Sequence, residues 1–144
     1  MASAELMDAV GHALETTGVT HLIADRIHQF GGSHHPLLLL TLIMIVTMTL
    51  SDFVNNAATA VLMAPIAADL AISMGHSPNP YLMAVAVAAS CAFLTPIGHQ
   101  SNTLVMSPAG YRFGDYWRLG LPLEILIIAA GAPLILFFWP IVAG

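Results

Sequence analysis

Two short polar stretches hold the residues able to do chemistry. One, Ser51–Thr59, reads SDFVNNAAT; the other, Thr95–Thr103, reads TPIGHQSNT. Together they offer the hydroxyls of Ser51, Thr59, Thr95, Ser101 and Thr103, the amides of Asn55, Asn56 and Asn102, and the imidazole of His99. Neutral oxygens of this sort suit a hard alkali cation. Imidazole N–H groups and helix starts suit an anion. The chemistry is therefore ion binding. No nucleophile elbow, P-loop, dinucleotide fingerprint or HExxH occurs, so neither an enzyme nor an organic cofactor is expected. His34–His35 has no Asp, Glu or Cys at ligand spacing and reads as part of an interfacial loop.

The surroundings of these stretches define the class. The chain is 58% hydrophobic and 8% charged, whereas soluble domains carry about 25% charged residues. An all-α, multi-pass protein of the cell (inner or plasma) membrane is expected. Arg26, Arg112 and Arg118 are the only basic residues besides histidine, which excludes a nucleic-acid partner. The net charge of −5 comes mostly from the N-terminal segment and loop ends, so it is not an acidic recognition surface. One cysteine, Cys91, allows no internal disulfide and reads as a packing residue. The start, MASAELMDAVGHALE, lacks the basic and apolar regions of a signal peptide and suits a piece of a longer protein.

In chain order, residues 1–35 have amphipathic helical spacing too polar to span and are expected at the membrane interface. The membrane part is expected over 36–144. It opens with a hairpin over 36–74, whose first arm, Pro36–Leu50, has about 15 apolar residues against the roughly 20 needed to cross. That length suits a re-entrant arm. Ala57–Met74 returns, with Pro65 within it and Asp69 toward its far end, and GHSPNP forms a loop. An unwound helix is expected over 80–106, then an interfacial loop, Ser107–Arg118, rich in Tyr and Trp. A last spanning helix covers 119–142, with Glu124 in its first turns, where the helix dipole favours a carboxylate. Arg112 and Arg118 place the loop before it in the cytoplasm.

Non-helical backbone in lipid leaves unpaired N–H and C=O groups, so it survives only inside protein or beside a watery cavity. The two breaks are expected to face each other. Carbonyl ends at Leu50–Ser51 and Leu94–Thr95 would suit Na⁺, and N–H ends starting at Asn56–Ala57 and Asn102–Thr103 would suit an anion. The plainer reading is that Ser51 and Asp52 cap the return arm and Asn55–Asn56 turn the chain. Two such breaks in one short chain favour a binding site.

At these residues the sequence resembles the divalent anion:sodium symporter family, the sodium/sulfate and dicarboxylate transporters. The likeness covers roughly Pro36–Pro140. That family has a Ser-Asn-Thr motif at a hairpin tip in each of two inverted halves, each tip facing an unwound helix. Here the tip reads Asn55-Asn56-Ala57, and the unwound helix runs from Ser90 to Tyr111, SCAFLTPIGHQSNTLVMSPAGY. Asn55 replaces the family's Ser and Ala57 its Thr. His99-Gln100-Ser101 stands where dicarboxylate carriers tend to have Thr and Pro. Both departures bear on the substrate.

The resemblance implies one half of an inverted-repeat, elevator-type transporter. It implies sodium ligands Ser51, Asn55, Asn56 and Gly98, and substrate contacts Asn55, Asn56, Ala57, His99 and Gln100. Thr59, Thr95, Ser101, Asn102 and Thr103 are secondary candidates. Expected partners are a small anion such as sulfate or a di- or tricarboxylate, Na⁺ as coupling ion, the bilayer and a missing N-terminal half, with a homodimer left open. The alternatives are a Na⁺/H⁺ antiporter or arsenite-type exporter of the same superfamily, with His99 and Asp69 as its suspects, and a truncated membrane protein without transport activity.

Overall fold

The computed structural model describes residues 35–142, and ahead of them the helical positions Leu22, Asp25 and Gln29. The expected amphipathic segment 1–35 otherwise lies outside the described residues. Every regular element among the described residues is helical: α1 (Pro36–Phe53), α2 (Asn56–Ser73), α3 (Asn79–Ala89), α4 (Gln100–Met106) and α5 (Phe113–Phe138). Helices α1, α2 and α5 are long and apolar enough to cross a membrane.

Pro36 sits at the start of α1, where its missing N–H is harmless. From there α1 buries Leu39, Leu40, Ile43, Met44, Thr47, Met48, Ser51 and Asp52, a stripe at helical spacing. The Thr47 hydroxyl turns back to the Ile43 carbonyl at 2.7 Å, so this polar group is satisfied within its own helix. Helix α2 lies beside α1 and contributes Leu62, Met63, Ile66, Ala67, Leu70 and Ala71 to the core. It runs through Pro65 and ends at Ser73, followed by Met74 as cap and Gly75, whose φ of 70° is the left-handed conformation glycine favours.

Helix α3 is the centre of the packing. It lies against α1, α2 and α5, burying Tyr81, Ala84, Val85 and Ala88. The alanines let neighbouring backbones come close, which supplies van der Waals attraction where lipid offers no hydrophobic drive. Tyr81 is fully buried, and its hydroxyl lies 2.8 Å from His76 Nδ1, tying the loop after α2 to α3. Only Gly120, Glu124, Ala132 and Ile135 of α5 are buried, leaving a long apolar face exposed.

Several boundaries differ from expectation. Helix α1 continues past Leu50 to Phe53 and has 18 residues, about 27 Å, rather than about 15. The reason is that Ser51 and Asp52 point their side chains at distant partners and do not compete with the helix backbone. Helix α4 begins at Gln100 instead of Asn102, because His99 caps it: the Ser101 N–H donates to His99 Nδ1 at 3.1 Å. Helix α5 begins at Phe113, inside the expected interfacial loop. There the Arg112 N–H donates to Asp115 Oδ2 at 2.8 Å and nucleates the first turn. It stops at Phe138, since Trp139 precedes Pro140 and takes an extended conformation. Glu124 thus lies about three turns into α5, beyond the reach of the helix-end dipole that its expected place in the first turns implied.

Candidate functional site

The first break is only Val54–Asn55, between α1 and α2. The Val54 N–H donates to the Leu50 carbonyl at 2.8 Å. Asn55 is the N-cap of α2, its Oδ1 accepting from the Ala58 N–H at 2.8 Å. The expected cap role of Ser51 and Asp52 belongs instead to Asn55.

The second break is longer, running from Ser90 to His99 between α3 and α4. Its backbone is held by side chains. The Phe93 N–H donates to Glu124 Oε1 at 3.1 Å, and the Leu94 N–H to Asp52 Oδ1 at 3.1 Å. The Thr95 hydroxyl donates to the Asp52 carbonyl at 2.8 Å and accepts from the Gly98 N–H at 3.1 Å. The Asn102 amide nitrogen donates to the Ala92 carbonyl at 2.9 Å and the Thr95 carbonyl at 3.1 Å. The Thr103 hydroxyl donates to the Pro96 carbonyl at 2.6 Å. The Tyr116 hydroxyl donates to the Asn102 carbonyl at 2.6 Å, tying α5 to α4. Thr95, Asn102 and Thr103, secondary ligand candidates by sequence, are therefore engaged in closing this loop.

The two breaks meet. Gly98 lies against the end of α1: a Cβ added there would stand 2.8 Å from Ala92 Cβ, 3.1 Å from Asp52 Cα and 3.2 Å from Asp52 Oδ1. Only glycine permits that approach. The fully buried Ser51 donates its hydroxyl to the Ala89 carbonyl at 2.7 Å. One end of the Asn56 amide lies 2.9 Å from Ser51 Oγ, 3.1 Å from the Ala89 carbonyl and 3.0 Å from the Gly98 carbonyl. With nitrogen at that end, the amide donates into the cluster and closes it. With oxygen at that end, four oxygens converge and only the Ser51 hydroxyl brings a hydrogen.

Of the residues singled out by sequence, the fold joins Ser51, Asn56 and Gly98. Asn55 is exposed, with its side-chain oxygen on its own helix. Ala57 is exposed beside it. His99 is half-buried; with Nδ1 accepting, a neutral ring carries its hydrogen on Nε2, which is a donor. Gln100 and Ser101 are exposed at the start of α4. Thr59 is buried, and its hydroxyl has no hydrogen-bond partner among the described residues. Asp69 is exposed on α2.

Three participants were not singled out as site groups. The Ala89 carbonyl carries no sequence signal, because any residue supplies one. Asp52 stands in the polar stretch but reads as a cap. Glu124 is the single charge within Leu119–Val142, a depth at which a carboxylate must be hydrogen-bonded.

Interrupted helices meeting inside an apolar bundle define a multi-pass membrane protein with a built polar centre. Comparison with known proteins agrees in kind. The citrate transporter family model (CitMHS) matches residues 6–144, and the chain belongs to that family of transporters. It is 41% identical over 128 residues to the uncharacterized transporter YfbS of Escherichia coli, covering 89% of this chain and 21% of that protein. It is 34% identical over 124 residues to sodium/sulfate cotransporter 2 of Chlamydomonas reinhardtii, covering 85% of this chain and 14% of that one. It is 28% identical over 123 residues to the sodium-dependent high-affinity dicarboxylate transporter 3 of Caenorhabditis elegans, covering 83% and 21%. The chain spans about a fifth or less of the length of these relatives.

Proposed function

We propose that this chain is the C-terminal part of a sodium-coupled symporter for a small anion, of the sulfate or di- and tricarboxylate kind. The observation that carries the reading is the convergence of Ser51 Oγ, the Asn56 amide and the Ala89 and Gly98 carbonyls where the two breaks touch. These are hard, neutral oxygens at helix ends, the donor set transporters use for Na⁺. Sodium would be cargo held by Ser51, Asn56, Ala89 and Gly98, with the Asn56 oxygen turned inward. Without the ion, the Asn56 nitrogen closes the same cluster. Cation binding would therefore turn the Asn56 amide over at the tip between α1 and α2.

The anion would lie on the open side, at the first turn of α2 and opposite His99. Asn55, Asn56 and Ala57 contribute there, with the N–H groups of a helix start and the His99 Nε2–H as donors. Gln100 is at the rim. Bound Na⁺ would offset the anion's charge, which makes the two bind together. The sodium/sulfate and dicarboxylate relatives support this pairing. The α1–α2 pair would be one re-entrant hairpin of two. The other, with its own unwound helix, would come from an N-terminal half, and the paired halves would move as an elevator.

The test is sodium-dependent uptake of labelled sulfate, succinate and citrate by the complete transporter in proteoliposomes. Sodium-driven uptake that vanishes in Asn56→Ala is the expected result. Proton-linked sodium efflux without anion uptake would overturn the reading in favour of an antiporter, and no flux of either kind would leave a membrane protein without transport activity. A cysteine replacing Asn55 should be labelled from water and protected by sodium plus substrate; unprotected labelling would make the tip a plain turn.

A further inference from the structure

We propose that Glu124 is a positioning residue: together with Gly120, one turn earlier on α5, it grips the backbone on both sides of the Phe93 Cα and so sets the geometry of the oxygen cluster. This rests on the sodium-site reading above. The grip has two sides. The Phe93 N–H donates to Glu124 Oε1 at 3.1 Å. The Phe93 carbonyl lies so close over Gly120 that an added Cβ would overlap its oxygen and stand 2.6 Å from its carbon and 3.0 Å from the Leu94 nitrogen. The next N–H, that of Leu94, goes to Asp52 Oδ1 on α1 at 3.1 Å. Two consecutive peptide groups are thus held by carboxylates from two different helices.

The placement matters because Phe93–Leu94 lies between the two carbonyls of the cluster, Ala89 before it and Gly98 after it. No helical ladder fixes that stretch, so its shape is whatever its side-chain partners impose. Glu124 is 6% exposed, and it is the only charged residue from Leu119 to Phe138. Placing a carboxylate there is unfavourable unless a hydrogen bond offsets it. The bond it makes is to the loop, and one turn earlier Gly120 lets the same loop lie against α5. Glu124 does not touch the ion or the anion; it acts through the Phe93 peptide.

The experiment uses the complete transporter in detergent and in proteoliposomes. It measures the sodium concentration giving half-maximal thermal stabilisation, and the sodium dependence and maximal rate of uptake. Losing the direct hydrogen-bond partner of a metal ligand typically weakens binding ten- to a hundredfold, and Glu124 stands one remove further, bonded to the loop between the ligands. Glu124→Ala should therefore raise half-saturating sodium by at most about tenfold, with the maximal rate at saturating sodium largely kept. Glu124→Gln keeps a carbonyl acceptor and should stay close to the unmodified protein. Gly120→Ala pushes on the Phe93 carbonyl, in the next peptide group of the same loop, and should behave like Glu124→Ala.

Unchanged sodium dependence in Glu124→Ala overturns the proposal. So does Glu124→Gln falling with Glu124→Ala, because charge rather than acceptance of the N–H would then be acting. If Glu124→Ala fails to fold, the contrast between Glu124→Gln and Gly120→Ala decides the matter in the same terms. Failure of the underlying site is read separately: Ser51→Ala and Asn56→Ala both leaving sodium stabilisation intact would remove the site, whatever Glu124 does.

Discussion

The two breaks solve one problem in opposite ways. At Val54–Asn55 the chain leaves one helix and enters the next at once, and both loose ends are satisfied locally, by the Leu50 carbonyl and the Asn55 side chain. At Ser90–His99 the backbone runs irregular for longer and borrows partners from elsewhere: Asp52 of α1, Glu124 of α5, and Asn102 and Thr103 of α4. The difference teaches where rigidity comes from. A tight break can satisfy its backbone ends from its own sequence. A long break inside a membrane bundle exists only as part of a network. On the proposed reading the second break would be the fixed wall of the cluster, and the first, through the Asn56 amide, its movable side.

That contrast can be broken by substitution. The largest effect is expected from Gly98→Val, since even a Cβ there would press on Ala92 and the Asp52 backbone. Uptake should be abolished, and retained uptake would show that the breaks need not touch. Next is Asp52→Ala, which strips the Leu94 N–H of its acceptor in a buried place and should destabilise by about 1–3 kcal/mol. The fall in melting temperature measures it. Asn102→Ala leaves the Ala92 and Thr95 carbonyls without its amide, and should lose about 1–2 kcal/mol by the same measurement. The smallest fall in melting temperature, measured without ligand, is expected from Asn55→Ala, where an exposed cap is lost, at about 1 kcal/mol, and Asn55→Ser should restore most of it. If Asn55→Ala proves more damaging than Asn102→Ala, the assignment of movable and fixed sides is reversed.

How far this was legible in the sequence depends on where each group finds its partner. The apolar runs, the Gly75 turn and the interruption near Asn55 are local features and appear where their residue types place them. The exact ends of helices were less legible. Ser51 and Asp52 look like helix breakers because alone they would bond to nearby backbone, yet across the bundle Ala89 and Leu94 offer better partners, so α1 continues through them. Phe113–Arg118 looks like interfacial loop by its aromatics, while the bond from the Arg112 N–H to Asp115 starts a helix there. Asn102 and Thr103 look like ligands by type, and in the fold their side chains make the hydrogen bonds that close the loop.

From residue types alone follow a membrane-embedded helical protein, two polar interruptions at membrane depth and a family resemblance, because hydropathy and turn chemistry are short-range properties of the chain. Tertiary packing alone chose which polar atoms meet: Ser51, Asn56 and Gly98 with the anonymous carbonyl of Ala89, and Glu124 with the peptide of Phe93. Backbone carbonyls and N–H groups are the same in every residue, so nothing short of the folded arrangement of α1, α3 and α5 could say which of them would face one another.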